Sequence, residues 1–304
     1  MEYTKPSLTY EEQADLLISR GLLADRDILI ATLQNVNYYR LSGYLYPFRN
    51  ADDSFLDGTT LDIVWRRYRL DRHLRFLLLD AIERVEVALR SRLVYHFVHK
   101  HNAFAYLDKI YLPNLNQTQY DEFKQKLATE ISRSKEKFVI HFNRKYGDKH
   151  NMPPLWIACE LFSFGLFLTF YRGVEKSLKQ QLARDLGVPD VVLFSWLLTL
   201  NNLRNLCAHH GRVYNKSFKI KLPTNHNKYP DWFNPFPIAD KKLFTVLTVL
   251  KYLLSHVASR SQWHIRLKEL IEEYSDIPAS IMGFPANWKE CLFWKDVDVD
   301  GNKQ

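Results

Sequence analysis

Three features of the 304-residue chain predict an all-α fold. Glycine and proline are scarce, at 10 and 12 residues, too few for the turns of a sandwich or barrel. Apolar residues recur at three- and four-residue spacing over long stretches. Those stretches open on capping residues and close at glycine or proline, which is helix punctuation.

Thr9 and Glu12 stand at capping-box spacing and open a helix that Gly21 ends; a second follows from about Ala24 to Gln34. The aromatic segment from Asn37 to Arg49 comes next, closed by a loop through Asp52, Asp53 and Gly58. Its Tyr38, Tyr39, Tyr44 and Tyr46 have the chemistry to stack on bases, but their spacing suits a tightly turned plug packed on neighbouring helices, which is the expectation. Thr59 and Asp62 signal the cap of the longest periodic segment, where Ile63, Leu70, Leu74, Leu78, Ala81, Val85 and Leu89 share a face. Nothing breaks it until past His99, so one helix of roughly 35–40 residues, or two collinear ones, is predicted. Its early Arg66, Arg67, Arg69, Arg72 and Arg75 read as a solvated basic face.

After a loop at Pro113 and Asn114, the residues from about Thr118 to Phe142 read as one amphipathic helix with Lys124, Lys126, Arg133, Lys135 and Lys137 in solvent. A break from Gly147 to Pro154 precedes Leu155 to Tyr171, apolar almost all round and therefore a buried helix. Glu175 to Leu186 is amphipathic and stops at Gly187, and Val191 to about Ala208 is another mostly buried helix. Tyr214 to Leu222 alternates and is expected to be extended. Helices near Asp240 to Ala258 and Ser261 to Tyr274 lead to a tail containing tryptophan.

The charge balance, 42 basic against 34 acidic residues, gives +8 and a field that attracts polyanions, either nucleic acid or an anionic membrane surface. The most apolar stretches, Leu161 to Tyr171 and Val191 to Leu200, fall short of the roughly 18 residues a membrane span needs. The first residues have no apolar core of a secretory signal. A soluble, cytoplasmic protein without membrane association is expected. Cys159, Cys207 and Cys291 are too few and too scattered for a disulfide framework or four-thiolate zinc site, and read as reduced thiols. No phosphate-binding glycine loop or dinucleotide fingerprint is present.

The chemistry concentrates in Leu200-Asn-Asn-Leu-Arg-Asn-Leu-Cys-Ala-His-His-Gly-Arg-Val-Tyr-Asn215, at the end of an otherwise apolar helix. An imidazole titrates near neutrality and can shuttle a proton. A guanidinium is a permanently charged planar fork that fits phosphate oxygens. Together they meet the needs of phosphodiester transesterification by a ribose 2′-OH, which selects RNA and requires no metal. From Arg212 to Pro230 the chain carries Arg212, Lys216, Lys219, Lys221 and Lys228 and no acid until Asp231, a strip a phosphate backbone can follow. Cys207, His209 and His210 do not complete a zinc ligand set, and no cofactor or metal is expected.

Arg204-Asn205-x-x-x-His209 is the R-N-x-x-x-H form of the HEPN ribonuclease signature, and the longer string resembles the signature of Abi-like (abortive infection) proteins of the AbiD and AbiF kind. Three more blocks lie in matching order: Asn37-Tyr-Tyr-Arg-Leu-Ser-Gly-Tyr44, Ile82-Glu-Arg-Val-Glu-Val-Ala-Leu-Arg90, and Pro154-Leu-Trp-Ile-Ala-Cys-Glu-Leu-Phe-Ser-Phe-Gly165. The resemblance runs from about Lys5 to Asn215. It implies a HEPN-like helical bundle with added N- and C-terminal helices, and a homodimer that brings two Arg/His sets together. It implies cleavage of RNA to 2′,3′-cyclic phosphate and 5′-OH ends in anti-phage defence, with toxicity and a small non-coding RNA as regulator. Arg204 and His209 are then the catalytic pair and Asn205 a polar helper. The domain layout expected is an Abi-like HEPN domain over 1–235, with 1–58 packed on it, and a helical extension over 236–304 in the same globule.

Positions 204 and 209 lie roughly 140° apart on an ideal helix, so the pair converges only if the helix ends near Ala208 or a second protomer contributes; both are expected. His210 is a candidate supporting group. Glu83, Glu86 and Arg90 share a stripe, either as an intrahelical ion pair or with Glu86 orienting Arg204 or His209. Arg90 and His96 have a second R-to-H spacing but lack the following Asn, so a surface arginine and a half-buried histidine are expected there. The competing class is a non-catalytic RNA-binding or partner-binding helical module.

Overall fold

The structure is a computed structural model that describes Glu2, residues 6–222 and residues 241–295. Lys228, the boundary near residue 235 and the helix start at Asp240 lie outside the described residues. Among the described residues are twelve α-helices and no strand.

Helix α1 (Tyr10–Ser19) opens on the expected box: the Thr9 hydroxyl accepts from the Glu12 N–H, and the Glu12 carboxylate accepts from the Thr9 N–H at 2.7 Å. Gly21, at φ +98°, turns the chain out of it. Asp25 caps α2 (Arg26–Asn35) and Asn37 caps α3 (Tyr38–Leu45), so the aromatic segment is itself a helix. The 40-residue α4 (Leu61–Lys100) runs unbroken, and Thr60, one residue later than expected, is its cap. Thr59 instead donates its hydroxyl to the Leu56 carbonyl at 2.6 Å.

Two expected helices are each divided by a serine. The 118–142 segment is α5 (Gln117–Arg133) and α6 (Lys137–Tyr146), because Ser134 is extended and its hydroxyl accepts from the Glu136 N–H. The 155–171 segment is the short α7 (Leu155–Ala158), a 3₁₀ turn, and α8 (Phe164–Gly173), with Ser163 capping α8 through the Leu166 N–H. In both, the side-chain oxygen offers the backbone a local partner that competes with helix continuation. Helices α9 (Lys176–Asp185), α10 (Asp190–Ala208), α11 (Leu243–Val257) and α12 (Trp263–Glu273) match their expected positions.

Helix α4 is the axis of the main core, and α7 to α12 pack along it. Trp263 of α12 donates its indole N–H to the Leu77 carbonyl of α4 at 2.8 Å. Trp288 and Trp294 of the tail pack on Phe244 of α11 in the same core. A second apolar cluster joins α1, α2 and α3 to the first turn of α4 through Leu61 and Val64. No single described helix is long and apolar enough to cross a membrane; α9 and α10 pass together by length and composition, but are bent by 81°.

Two expectations about surface character are corrected here. Arg67 and Arg75 are buried, not solvated, because they flank Asp71 at four-residue spacing on the inward stripe of α4. Arg66 pairs with Asp276 at 2.6 Å, while Arg69 and Arg72 are exposed. Of the tyrosine plug only Tyr44 is in the core; Tyr38 is half-buried, and Tyr39 and Tyr46 are 73% and 71% exposed. An eight-residue helix has one inward face, and Leu41, Tyr44 and Leu45 fill it.

Candidate functional site

Helix α10 ends as the spacing requires. His209 is its C-cap, and His210 takes the left-handed conformation at φ +58°. The Gly211 N–H reaches back to the Leu206 carbonyl at 2.7 Å, and the His210 N–H to that of Cys207 at 3.0 Å, the two bonds of a Schellman motif. Gly211 is needed for closeness, since a Cβ there would stand 2.3 Å from Leu206 Cδ1 and 3.1 Å from its carbonyl oxygen. The backbone reversal therefore sits on a histidine, where left-handed geometry costs about 1 kcal/mol or more.

The strained turn is held from below by one buried carboxylate. Asp71 of α4 is 0% exposed. Its Oδ1 accepts from the backbone N–H groups of Val213 and Tyr214 at 2.9 and 2.6 Å. Its Oδ2 accepts from the Tyr44 hydroxyl at 2.5 Å and from Arg75. Helix α3 closes the other side: Arg40 donates to the His210 carbonyl at 2.6 Å, and Arg212 to the Gly43 carbonyl. Sequence reasoning missed Asp71, although an acid on the stripe shared with Arg67 and Arg75, between Leu70 and Leu74, was a readable signal. It also read the aromatic block only as a packed plug, and that block is half of the clamp.

On this platform Asn205, His209 and His210 are exposed, and Arg204 is partly exposed. The Arg204 guanidinium donates to the Asn205 side-chain oxygen at 3.3 Å; among the described residues no hydrogen bond joins Arg204 to His209. Arg204 lies within electrostatic range of Glu86 on α4. Glu86 also faces Arg90 at 3.9 Å, and Arg90 is tied to the Phe162 carbonyl at 3.0 Å and to Glu160 at 3.7 Å. Glu83 is exposed and acts on this group only through its charge on Glu86. Arg90 and His96 do not converge: Arg90, expected at the surface, is buried because Glu86 and the Phe162 carbonyl receive its charge, while His96 is half-buried as expected and bonds Asp185 of α9 at 2.7 Å.

Burial holds the Glu86 carboxyl above the usual carboxylate range, while the Arg90 and Arg204 charges pull it down and Glu83 adds to the rise. A carboxyl with a raised folded pKa binds its proton more tightly folded than unfolded, so its ionisation opposes folding above that pKa, and the opposition fades as pH falls through it. Glu86→Gln is accordingly expected to raise the urea midpoint at about pH 8 and to lose that advantage toward about pH 4. A lowered midpoint at the higher pH would contradict this sign.

The segment after the turn runs back along α10 without forming a strand. Lys219 and Lys221 carbonyls accept from Thr199 and Trp196 of α10 at 2.6 and 2.7 Å, and the Lys221 N–H donates to Ser195 at 3.1 Å. Phe218, Ile220 and Leu222 turn to the core, leaving Lys216, Lys219 and Lys221 exposed. Arg212, expected in the same strip, is half-buried and anchors the turn instead. Lys124, Lys126, Arg133, Lys135 and Lys137 are exposed on α5 and α6 and in the link between them, as expected.

Cys207 points inward, and burial pushes its thiol up to about 12. Among the described residues no three His, Cys, Asp or Glu side chains gather as a metal site. A family model described as Abi-like protein matches residues 31–215. No curated protein and no solved structure matches the chain.

Proposed function

This chain belongs to the Abi-like protein family, and from that premise we propose that it is an endoribonuclease of abortive infection whose centre is the end of α10. The observation that carries the reading is a partly exposed guanidinium in the last helical turn of α10 and an exposed imidazole at its C-cap, five residues on, where the chain leaving the helix is held by buried Asp71. Such rigidity supports catalysis, which demands placement within about an ångström.

In the proposed reaction the His209 imidazole accepts the proton of a ribose 2′-OH as that oxygen attacks the adjacent phosphorus. The Arg204 guanidinium takes the negative charge that builds on the equatorial oxygens of the phosphorane. The bond to the 5′-oxygen breaks, a protonated imidazole returns a proton to it, and a 2′,3′-cyclic phosphate remains. No metal enters the scheme. Asn205 holds the guanidinium on one side and Glu86 attracts it from α4. A twofold dimer that sets two such helix ends together supplies the second imidazole that acid and base roles require.

The test is single-stranded RNA incubated with purified protein in excess EDTA. Cleavage with cyclic-phosphate ends is the expected result. Salt-sensitive RNA binding without any product, even with divalent ions supplied, would instead select a non-catalytic binding module.

A further inference from the structure

A groove of about 700 Å³ lies between α1, α3 and the loop after α3, with Arg20, Tyr38, Tyr39, Ser42, Arg49 and Asp53 in its wall. The ribonuclease site does not use it, yet α3 is the same helix that clamps the catalytic turn. We propose that this groove binds one nucleotide of a single-stranded RNA, with its base stacked on Tyr39 and its phosphate against Arg20 and Arg49.

Tyr39, in the groove wall, is 73% exposed, so its ring is open to a stacking partner. Its ring is steadied edge-on by Tyr38, centroids 5.7 Å apart at 86°, and the Tyr38 hydroxyl accepts from Arg20 at 3.5 Å. Arg20 stands 3.6 Å from Asp53, and Arg49 pairs with the same carboxylate. Two guanidinium groups sharing one acid leave the wall net positive. A fixed aromatic face beside a surplus positive charge is what a stacked base and its phosphate require, and base stacking tolerates any sequence. A duplex offers no free base face there, so a single strand is the occupant.

The groove and the site share helix α3. Tyr39 is followed by Arg40, whose guanidinium holds the His210 carbonyl at 2.6 Å. Helix α3 thus carries both the groove wall and the clamp on the turn, so a nucleotide held at Tyr39 is positioned by the same helix that positions His210. That last step rests on the ribonuclease reading; the nucleotide site does not.

The test is fluorescence anisotropy of the full chain with a labelled, 2′-O-methylated polyadenylate of about a dozen nucleotides, which binds but lacks the nucleophile. Tyr39→Ala is expected to weaken binding about tenfold, and Tyr39→Phe to stay within about twofold. Arg49→Gln is expected to flatten the salt dependence. Parent-like affinity of Tyr39→Ala, or no binding by the parent, overturns the proposal. The two readings fail separately. Weakened binding by Tyr39→Ala with no cleavage of unmethylated RNA leaves the groove standing without the nuclease. Cleavage of that RNA with unchanged Tyr39→Ala binding does the reverse.

Discussion

Arg204→Ala and His209→Ala are each expected to lower RNA cleavage by about 10²–10⁴-fold, the span usual for losing a proton shuttle or a charge stabiliser. Neither change should move the thermal transition by more than about 2 °C, because the side chains make few contacts and surface substitutions alter stability by roughly ±0.5 kcal/mol. Among the described residues the Arg204 side chain hydrogen-bonds its neighbour Asn205 alone, and His209 contributes its backbone, not its ring, to the helix cap. The double variant should be little worse than either single one, since both act on one transition state. The outcome that sinks the assignment is unchanged cleavage by both single variants with intact fold. A sharp drop in melting temperature would instead mark the pair as structural. Light scattering on the parent chain adds an independent check, because a strict monomer cannot assemble the shared site.

Asp71→Ala should have the largest effect on stability, a loss of about 3–5 kcal/mol, the cost of breaking a buried ion pair from one side. The substitution leaves the Arg75 guanidinium, 5% exposed, without its counter-charge, and strips the Val213 N–H, Tyr214 N–H and Tyr44 hydroxyl of their acceptor. For a domain of this size the melting temperature should fall by on the order of 10 °C. Activity should fall even below the melting transition, because the released turn no longer fixes His209. Tyr44→Phe removes one of the four bonds and should cost only about 1–2 kcal/mol. If Asp71→Ala melted within about 2 °C of the parent, the carboxylate would not be the anchor.

The all-α class, the long central helix and the end of α10 were legible because each has a local cause. The Thr9–Glu12 box, the glycines at 21 and 187 and the apolar period of α4 act within a few residues of themselves. Where the reading slipped, two local causes competed. Ser134 and Ser163 each break an amphipathic run with a hydroxyl bond that periodicity does not register. The candidate pair Arg204 and His209 was visible as a motif; the network beneath it was not.

By itself the sequence determined the helical class, most of the helices and where they stop, and that an arginine and a histidine stand five residues apart at one such stop. Those properties follow from backbone propensity, capping and spacing. Only the tertiary structure decided that Arg67 and Arg75 are buried, that Arg212 serves as an anchor, and that Asp71 of α4 and Arg40 of α3 grip the turn after α10. These partners lie 142 and 170 positions away along the chain. A charged side chain reads as solvated until the fold brings its counter-charge or carbonyl to it, because only that pairing offsets the cost of leaving water.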